Sequence, residues 1–323
     1  MKVLVTGGAG FIGSHVVEQS LARGWDVVVL DDFSSGRLQN LETVADHGNL
    51  RILEGSILDS TILSKAISGI DVVVHEAAIV SVVRSIEDPS TSCRVNVEGT
   101  VSLLHEARKA GVSRVVYASS CGVYGDAKKL PTKESDPVEP RSPYAVSKAA
   151  GEQYCRAFHW ALGLDTVCLR YANVYGPRRS VGPYSGVMVK FADRILRDEP
   201  PLIFGDGQQT RDFVYSTDVA EATILAAEKP GASGKVINVG TGVSTSVYDL
   251  ARTMARAAGK ANLDVVKERP RPGEIRFSQP DTNLAKEILH FEYRVPLRDG
   301  VRKFIEWYRY YLNCRGLKLT GSS

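Results

Sequence analysis

The sequence predicts an α/β protein: a doubly wound parallel sheet with a smaller α/β lobe for a substrate. Three observations carry that expectation. Short apolar runs alternate with amphipathic stretches over residues 1–176, a glycine-rich turn separates the first run from the stretch after it, and the texture changes beyond Pro177.

The runs at 3–6, 27–30, 51–53, 72–75, 115–118 and 166–170 read as strands buried on both faces. Helix-like stretches lie between them, the order of a parallel sheet covered by helices, so residues 1–176 form the expected dinucleotide-binding domain. From 177 to 323 glycine and proline punctuate the chain, and helices are expected at 187–197, 247–258 and 300–311. The run 236–240 is again strand-like, which predicts that a segment of about 212–242 returns to the first sheet.

Composition excludes several classes. A chain of 323 residues suits two lobes at roughly 100 to 200 residues per domain. With 40 Lys and Arg against 37 Asp and Glu, the net charge of +3 is too small to argue for a nucleic-acid partner. No apolar stretch approaches the ~18 residues of a membrane span, and Met1 to Val5 runs at once into glycines, unlike a leader. The five cysteines are odd in number and form no Cys-x-x-Cys pair, so neither a disulfide framework nor a metal site is expected. Reduced thiols point to a cytoplasmic protein.

Gly7, Gly10 and Gly13 lie between a strand and a helix, where backbone N–H groups can hold a pyrophosphate. Asp31, at the end of the second apolar run, is placed to accept hydrogen bonds from an adenosine ribose, although a carboxylate there could also simply cap a turn. Asp32 follows it, and two carboxylates would repel a 2′-phosphate, so the expected cofactor is NAD rather than NADP.

The pattern Tyr-x-x-x-Lys occurs twice, at Tyr124/Lys128 and Tyr144/Lys148. Gly125 and Asp126 inside the first pair signal a turn. The second follows Ser142 and Pro143, a helix cap and a first-turn proline, so Tyr144 and Lys148 are expected on one helix face. A phenol of pKa about 10 must fall by about 3 units, or about 4 kcal/mol, to serve as a base near neutrality. One cation at about 5 Å supplies about 3 kcal/mol at an effective dielectric of about 20. Lys148 and a positive nicotinamide together would suffice, whereas the plainer reading is a surface tyrosine beside a solvated lysine. Ser119 and Ser120 close a central apolar run at its carboxyl end, and Ser120 is a candidate to hydrogen-bond a reacting oxygen, or to cap a turn.

Taken together, these residues resemble the extended short-chain dehydrogenase/reductase family, the NAD-dependent epimerases and dehydratases on a Rossmann-type fold, and within it the UDP-sugar 4-epimerase branch. The resemblance spans nearly the whole chain and rests on TGGAGFIGS at 6–14, Asp31 and Asp32, HEAA at 75–78, NVEGT at 96–100, SSCGVYG at 119–125, PYAVSK at 143–148, RYANVYGP at 170–177, GDGQQTRDF at 205–213 and RPGE at 271–274. It implies Ser120, Tyr144 and Lys148 as the catalytic trio. It implies cofactor contacts at Phe11, Ile12, Ser56, Ile57, Ala77, Ala78, Asn96, Ser119 and Tyr171 besides the glycines. It implies that Asn173, Arg211 and Arg271 hold the substrate diphosphate, with Glu274 near the uridine ribose and a small residue, Ser278, at a gate beside the sugar. The implied reaction is reversible epimerisation at C4 of a UDP-hexose, in a homodimer joined through helices near 98–110 and 144–161.

Departures from the family narrow the reading. Dehydratases carry two acids after the serine or threonine of this segment, and here those positions are Cys121 and Gly122. Decarboxylases commonly keep a glutamate at the second, and uronate epimerases tend to carry threonine where this chain has Asn173. A small Ser278 leaves room for an N-acetylated sugar. Ser56 replaces an aspartate common near the adenine. Arg84, Arg178 and Arg179 could touch substrate, although solvated surface charge is the plainer reading. A UDP-uronate 4-epimerase, another nucleotide-sugar oxidoreductase, and a non-catalytic NAD-binding regulator are the alternatives, the last having no use for the trio.

Overall fold

A computed structural model describes residues 1–182, 185–270 and 275–314. The first part of the chain runs β1 (Lys2–Thr6), α1 (Phe11–Ala22), β2 (Asp26–Asp31), β3 (Leu50–Glu54), α2 (Ser60–Ile67), β4 (Val72–His75), α3 (Val82–Glu87), α4 (Pro89–Cys93), α5 (Gly99–Lys109), β5 (Arg114–Ser120), α6 (Pro143–Leu162) and β6 (Asp165–Tyr171). It continues through β7 (Asn173–Tyr175), α7 (Val187–Leu196), β8 (Leu202–Phe204), β9 (Thr210–Arg211), β10 (Phe213–Tyr215), α8 (Ser216–Glu228), β11 (Val236–Val239), β12 (Thr245–Ser246), α9 (Val247–Ala257), β13 (Val266–Glu268) and α10 (Leu297–Cys314).

Seven strands form one parallel sheet in the order β11-β6-β5-β4-β1-β2-β3. The central strands are apolar throughout because both faces are covered. One face packs Val3, Val5, Val72, Val116 and Leu169 under α1 and α8, with the segment Ala285–Leu289 filling the same layer. The other packs Leu4, Val73, Val115 and Tyr117 under α2, α5 and α6. The expectation of burial on both faces fails at β3, which is an edge strand: Leu50, Ile52 and Leu53 are only half-buried and Arg51 is exposed. β11 forms the opposite edge, in register with β6 through Ile237 and Leu169.

Behind the sheet, α7, α9 and α10 enclose a second core of Phe191, Ile195, Leu250, Met254, Phe304, Ile305 and Tyr308. Helix α10 extends beyond the expected 300–311 at both ends because its apolar stripe, Val301, Phe304, Ile305, Tyr308 and Leu312, keeps helical spacing to the last turn. Three two-stranded ladders, β7 with β10, β8 with β13 and β9 with β12, edge this core.

Helix α6 is the element that positions the site. Ser142 caps it, its hydroxyl accepting the Ala145 N–H at 3.2 Å; Pro143 occupies the first turn, and Gly163 ends it with φ 71°. Four-residue spacing puts Tyr144, Lys148 and Glu152 in one row. At Gly151 an added Cβ would lie 2.2 Å from the Tyr117 hydroxyl, so glycine there lets the helix sit close on β5. Glu152, 1% exposed, pairs with Arg170 of β6, 5% exposed, through two hydrogen bonds of 2.9 and 2.7 Å. A buried pair of this kind costs about 3 to 5 kcal/mol when one partner is removed. Glu152→Gln is expected to lose that much in equilibrium denaturation; a loss below about 1 kcal/mol would show that Arg170 is balanced by something else.

Candidate active site

The cofactor half lies where β1 gives way to α1. Gly7 takes φ 68°, and a Cβ on it would sit 2.7 Å from the Ala77 nitrogen; a Cβ on Gly13 would sit 2.2 Å from the Gly7 carbonyl oxygen. Gly10 begins α1 and no side chain caps the helix, which leaves the first-turn amides of Phe11, Ile12 and Gly13 aimed at the cleft. That is an anion site by construction.

Asp31, buried at the end of β2, accepts the Ala9 N–H on Oδ2 and the Phe33 N–H on Oδ1, each at 2.9 Å. It therefore does brace a turn, as the plainer reading held, but a carboxylate has about four acceptor sites and two remain for a ribose. Burial pushes its pKa up, the two amides pull it down, and Asp32 raises it again. Asp32 is exposed and accepts from Ser34. The Ser56 hydroxyl accepts the Leu58 N–H at 3.3 Å, and Ile57 is buried against Gly99. Ala77 and Ala78 are half-buried just after β4. Asn96 spends its amide within the chain, accepting the Ile79 N–H and donating to the Ile79 carbonyl and Ser147, so it shapes the cleft through the backbone beyond β4.

Along β5 the side chains alternate. Ser119 turns inward and donates to Glu152 at 2.5 Å. Ser120 faces the cleft, where its hydroxyl accepts the Gly122 N–H at 3.1 Å and hydrogen-bonds the Tyr144 side chain. The Tyr144 N–H donates to Ser85 of α3. Lys148, 4% exposed, donates to the Ala118 carbonyl at 2.7 Å and stands 5.0 Å from the centre of the Tyr117 ring. The pair shares a helix face as expected. Its electrostatics differ: Tyr144 is pushed up to about 12, chiefly by burial, with the Ser120 hydrogen bond and Arg179 pulling down and Glu76 pushing up. The lysine charge is spent on Ala118 and Tyr117, and burial brings Lys148 down to about 8, opposed by Glu76. At the other pattern match, Tyr124 is buried and donates to Asn238 while Lys128 is 86% exposed, on either side of Gly125 at φ 62°.

Three groups at the cleft lay outside the sequence reading or against it. Tyr171 donates to Glu76 Oε1 at 2.7 Å and lies 2.8 Å from the Thr223 hydroxyl. The signal for Glu76 was an acid directly after the strand-like run Val72–His75. Arg84 is exposed, but Arg178 and Arg179 are not solvated surface charges. Arg178, at φ 70°, pairs with Glu18; burial pushes that carboxyl up, yet hydrogen bonds from His15, Arg178 and Thr43 hold it at about 2. Arg179 is half-buried, donates to the Val174 carbonyl, lies 5.3 Å from the Phe11 ring and bears on Tyr144. Arginines that follow a Gly-Pro turn look exposed in sequence, and here the chain folds back over the glycine-rich loop.

On the substrate side, Asn173 projects from β7, with its N–H donated to the Asp212 carbonyl at 2.9 Å. Arg211 is half-buried on β9 next to Asp212, and the Ser278 N–H donates to the Thr210 carbonyl at 3.2 Å on its other side. Arg271 and Glu274 lie outside the described residues. Among the described residues, no helix is long and apolar enough to cross a membrane, and no group of three or more His, Cys, Asp or Glu could hold a metal ion.

This sheet order, with an anion-binding turn after β1, an acid closing β2 and serine, tyrosine and lysine gathered past β5, defines a class: enzymes that work with a bound dinucleotide. The family model described as the NAD dependent epimerase/dehydratase family matches residues 3–240, and the chain belongs to that family, with NAD as its cofactor. It is 42% identical over 311 residues to a UDP-glucose 4-epimerase of Mycolicibacterium smegmatis, covering 96% of this chain and 99% of that one. Its fold is similar to the UDP-glucose 4-epimerase of Thermotoga maritima solved with UDP-glucose, at TM-score 0.90 and 39% identity over 97% and 100% of the two chains. It is also similar to the UDP-N-acetylglucosamine 4-epimerase of Methanobrevibacter ruminantium solved with UDP-N-acetylmuramic acid, at TM-score 0.91 and 36% identity over 96% and 98%. Relatives at lower identity include dehydratases and a decarboxylase.

The contacts at Gly13 make the cofactor site testable. Gly13→Ala must displace the Gly7 carbonyl, and cofactor retained through purification, read from absorbance of the nucleotide released on denaturation, is expected to fall at least about tenfold, the equivalent of one lost charge-assisted amide contact.

Proposed function

We propose that the chain is a UDP-hexose 4-epimerase acting in the cytoplasm. The observation that carries the reading is the hydrogen-bonded pair Ser120 and Tyr144 at the carboxyl end of β5, followed by Cys121 and Gly122, where a dehydratase would need acids. Ser120 orients the sugar 4-hydroxyl and Tyr144 accepts its proton, returning it to the 4-oxygen once the turned ketone is reduced. When bound, the nicotinamide supplies a reversible hydride acceptor, so that oxidation at C4 and reduction from the other side invert the carbon without net redox change. Asn173 and Arg211 hold the diphosphate, which concentrates binding on the part of the substrate that stays still while the 4-keto sugar turns. Small Ser278 leaves room for the N-acetylated pair.

Arg179 favours a second reading. Among the described residues no carboxylate lies within ion-pair distance of its guanidinium, which faces the same cleft, and an acidic sugar would supply one. Incubation with UDP-galactose, UDP-N-acetylgalactosamine and UDP-galacturonate, without added NAD, separates the readings. Formation of the 4-epimer of either neutral sugar is expected, turnover of UDP-galacturonate alone would favour the second reading, and no product from any of the three overturns both. Tyr144→Phe is expected to lose activity by about 10²- to 10⁴-fold.

A homodimer belongs to the same proposal. Residues 98–110 and 144–161 lie side by side and border an outward groove of about 620 Å³ lined by Cys93, Val97, Val101 and Tyr154, the last 42% exposed. Tyr154→Arg is expected to sediment as a monomer where the wild-type chain sediments as a dimer; a monomeric wild type would overturn the assembly.

A further inference from the structure

We propose that Glu76 is a positioning residue for the charge of the cofactor: its carboxylate makes the reactive end of the cleft favour the oxidised, positively charged nicotinamide over the reduced, neutral one. The inference rests on the cleft being an NAD site and deepens the epimerase reading, because an enzyme that must end each turnover with oxidised cofactor gains from a site that prefers it.

Geometry places Glu76 at that end. A dinucleotide lies extended across the carboxyl ends of the strands. Asp31 on β2 marks the adenosine half, and the amides opening α1 take the pyrophosphate, so the other half crosses towards β4, β5 and β6. Glu76 directly follows β4, and its N–H is fixed to the Thr6 carbonyl at 3.1 Å. Its side chain is held by the Tyr171 hydroxyl, which lies 2.8 Å from the Thr223 hydroxyl of α8.

Two carboxylates act on Lys148, Glu152 and Glu76. Glu152 is committed to Arg170 and Ser119. Among the described residues Glu76 has no cation within ion-pair distance, so its charge acts across the cleft. The ionisable groups that face it are Tyr171 on β6 and Lys148 and Tyr144 on α6. His75 beside it is held neutral, down at about 3, by burial and by Lys148.

Burial raises Glu76 to about 7, against the pull of Tyr171 and Lys148. The carboxyl is therefore neutral below that value and charged above it, while Lys148 stays largely protonated to about 8. The preference for the oxidised ring should appear as pH rises through about 7. Above about 8 it should narrow relative to a chain without Glu76, because that chain's lysine loses its proton first.

The test equilibrates the full-length holoprotein with a defined mixture of NAD⁺ and NADH, without sugar, and measures the ratio retained from the near-ultraviolet absorbance of the reduced ring. Glu76→Gln keeps an acceptor for Tyr171 and removes only the charge. Between about pH 7 and pH 8 it is expected to shift the retained ratio towards NADH by about five- to tenfold, with no difference from wild type at about pH 5.5. Equal ratios at pH 7.5, or an offset that persists unchanged to pH 5.5, would overturn the proposal, since a merely structural role does not follow pH. Should Glu76→Gln fail to retain cofactor, Tyr171→Phe carries the test: it removes a bond that lowers Glu76, so the onset of NAD⁺ preference must move to higher pH, and an unmoved onset overturns the assignment. Absence of epimerase activity would leave these ratios unaffected, so the two readings fail separately.

Discussion

Arg170 and Glu152 meet in the interior, and the catalytic end of the molecule is organised around them. Arg170 belongs to β6 and Glu152 to α6; Ser119 of β5 donates to the same carboxylate, and the third guanidinium nitrogen donates to the Tyr124 hydroxyl and the Glu134 carbonyl. Tyr124 hands the network on to Asn238 of β11. Three strands of the sheet and the helix packed on them are thereby joined around one charge pair. Because Glu152 stands one helical turn beyond Lys148 and two beyond Tyr144, fixing Glu152 fixes the rotation of α6 about its axis, and with it the height of Tyr144 over Ser120. An apolar contact in its place would hold the helix against the sheet but would specify its rotation and slide less sharply, since dispersion is tolerant of sliding where paired hydrogen bonds are not.

Much of this frame was legible in the residues alone. The interior strands announce themselves because a sheet covered on both faces tolerates few polar side chains, and α6 was marked by Ser142 and Pro143. Edge strand β3 was misjudged for the same physical reason: a short apolar run looks alike whether one face or two is covered. The sign of the Tyr144 shift was not legible at all. Spacing places a lysine one turn away but says nothing of what else that lysine can donate to, and here the Ala118 carbonyl and the Tyr117 ring claim it. Glu76 escaped, and Arg179 was weighed mainly as surface charge, because each acts through neighbours distant in sequence, Tyr171 and Phe11 respectively. Only the fold supplies such partners.

The cleft's charges also show why the chain by itself holds Tyr144 protonated. Burial raises the phenol, Glu76 raises it further, and the hydroxyl of Ser120 with the guanidinium of Arg179 pulls the other way without prevailing. A proton acceptor is useful only when the sugar and an oxidised ring are both in place, and the positive charge needed to lower Tyr144 is the one that accompanies that state. In the proposed reaction the acid-base step is therefore coupled by electrostatics to the charge of the bound ring.

The substrate half is tied to this frame by Asp212. Its carboxylate, buried between β9 and β10, accepts the N–H groups of Thr241 and Gly242 and the Thr241 hydroxyl, all from the turn that follows β11. Burial pushes its pKa up and these donors bring it down, the balance of a carboxylate kept for structure. Arg211 and Phe213 flank Asp212, and the Asp212 carbonyl receives the N–H of Asn173. The residues assigned to the diphosphate are therefore anchored to the edge of the catalytic sheet, although they stand on the ladders of the smaller lobe. Under the proposed reading, the distance between a diphosphate held on these ladders and Tyr144 sets how long a sugar can be accommodated, and Ser278, whose N–H donates to the Thr210 carbonyl, stands on the wall where the pocket can vary.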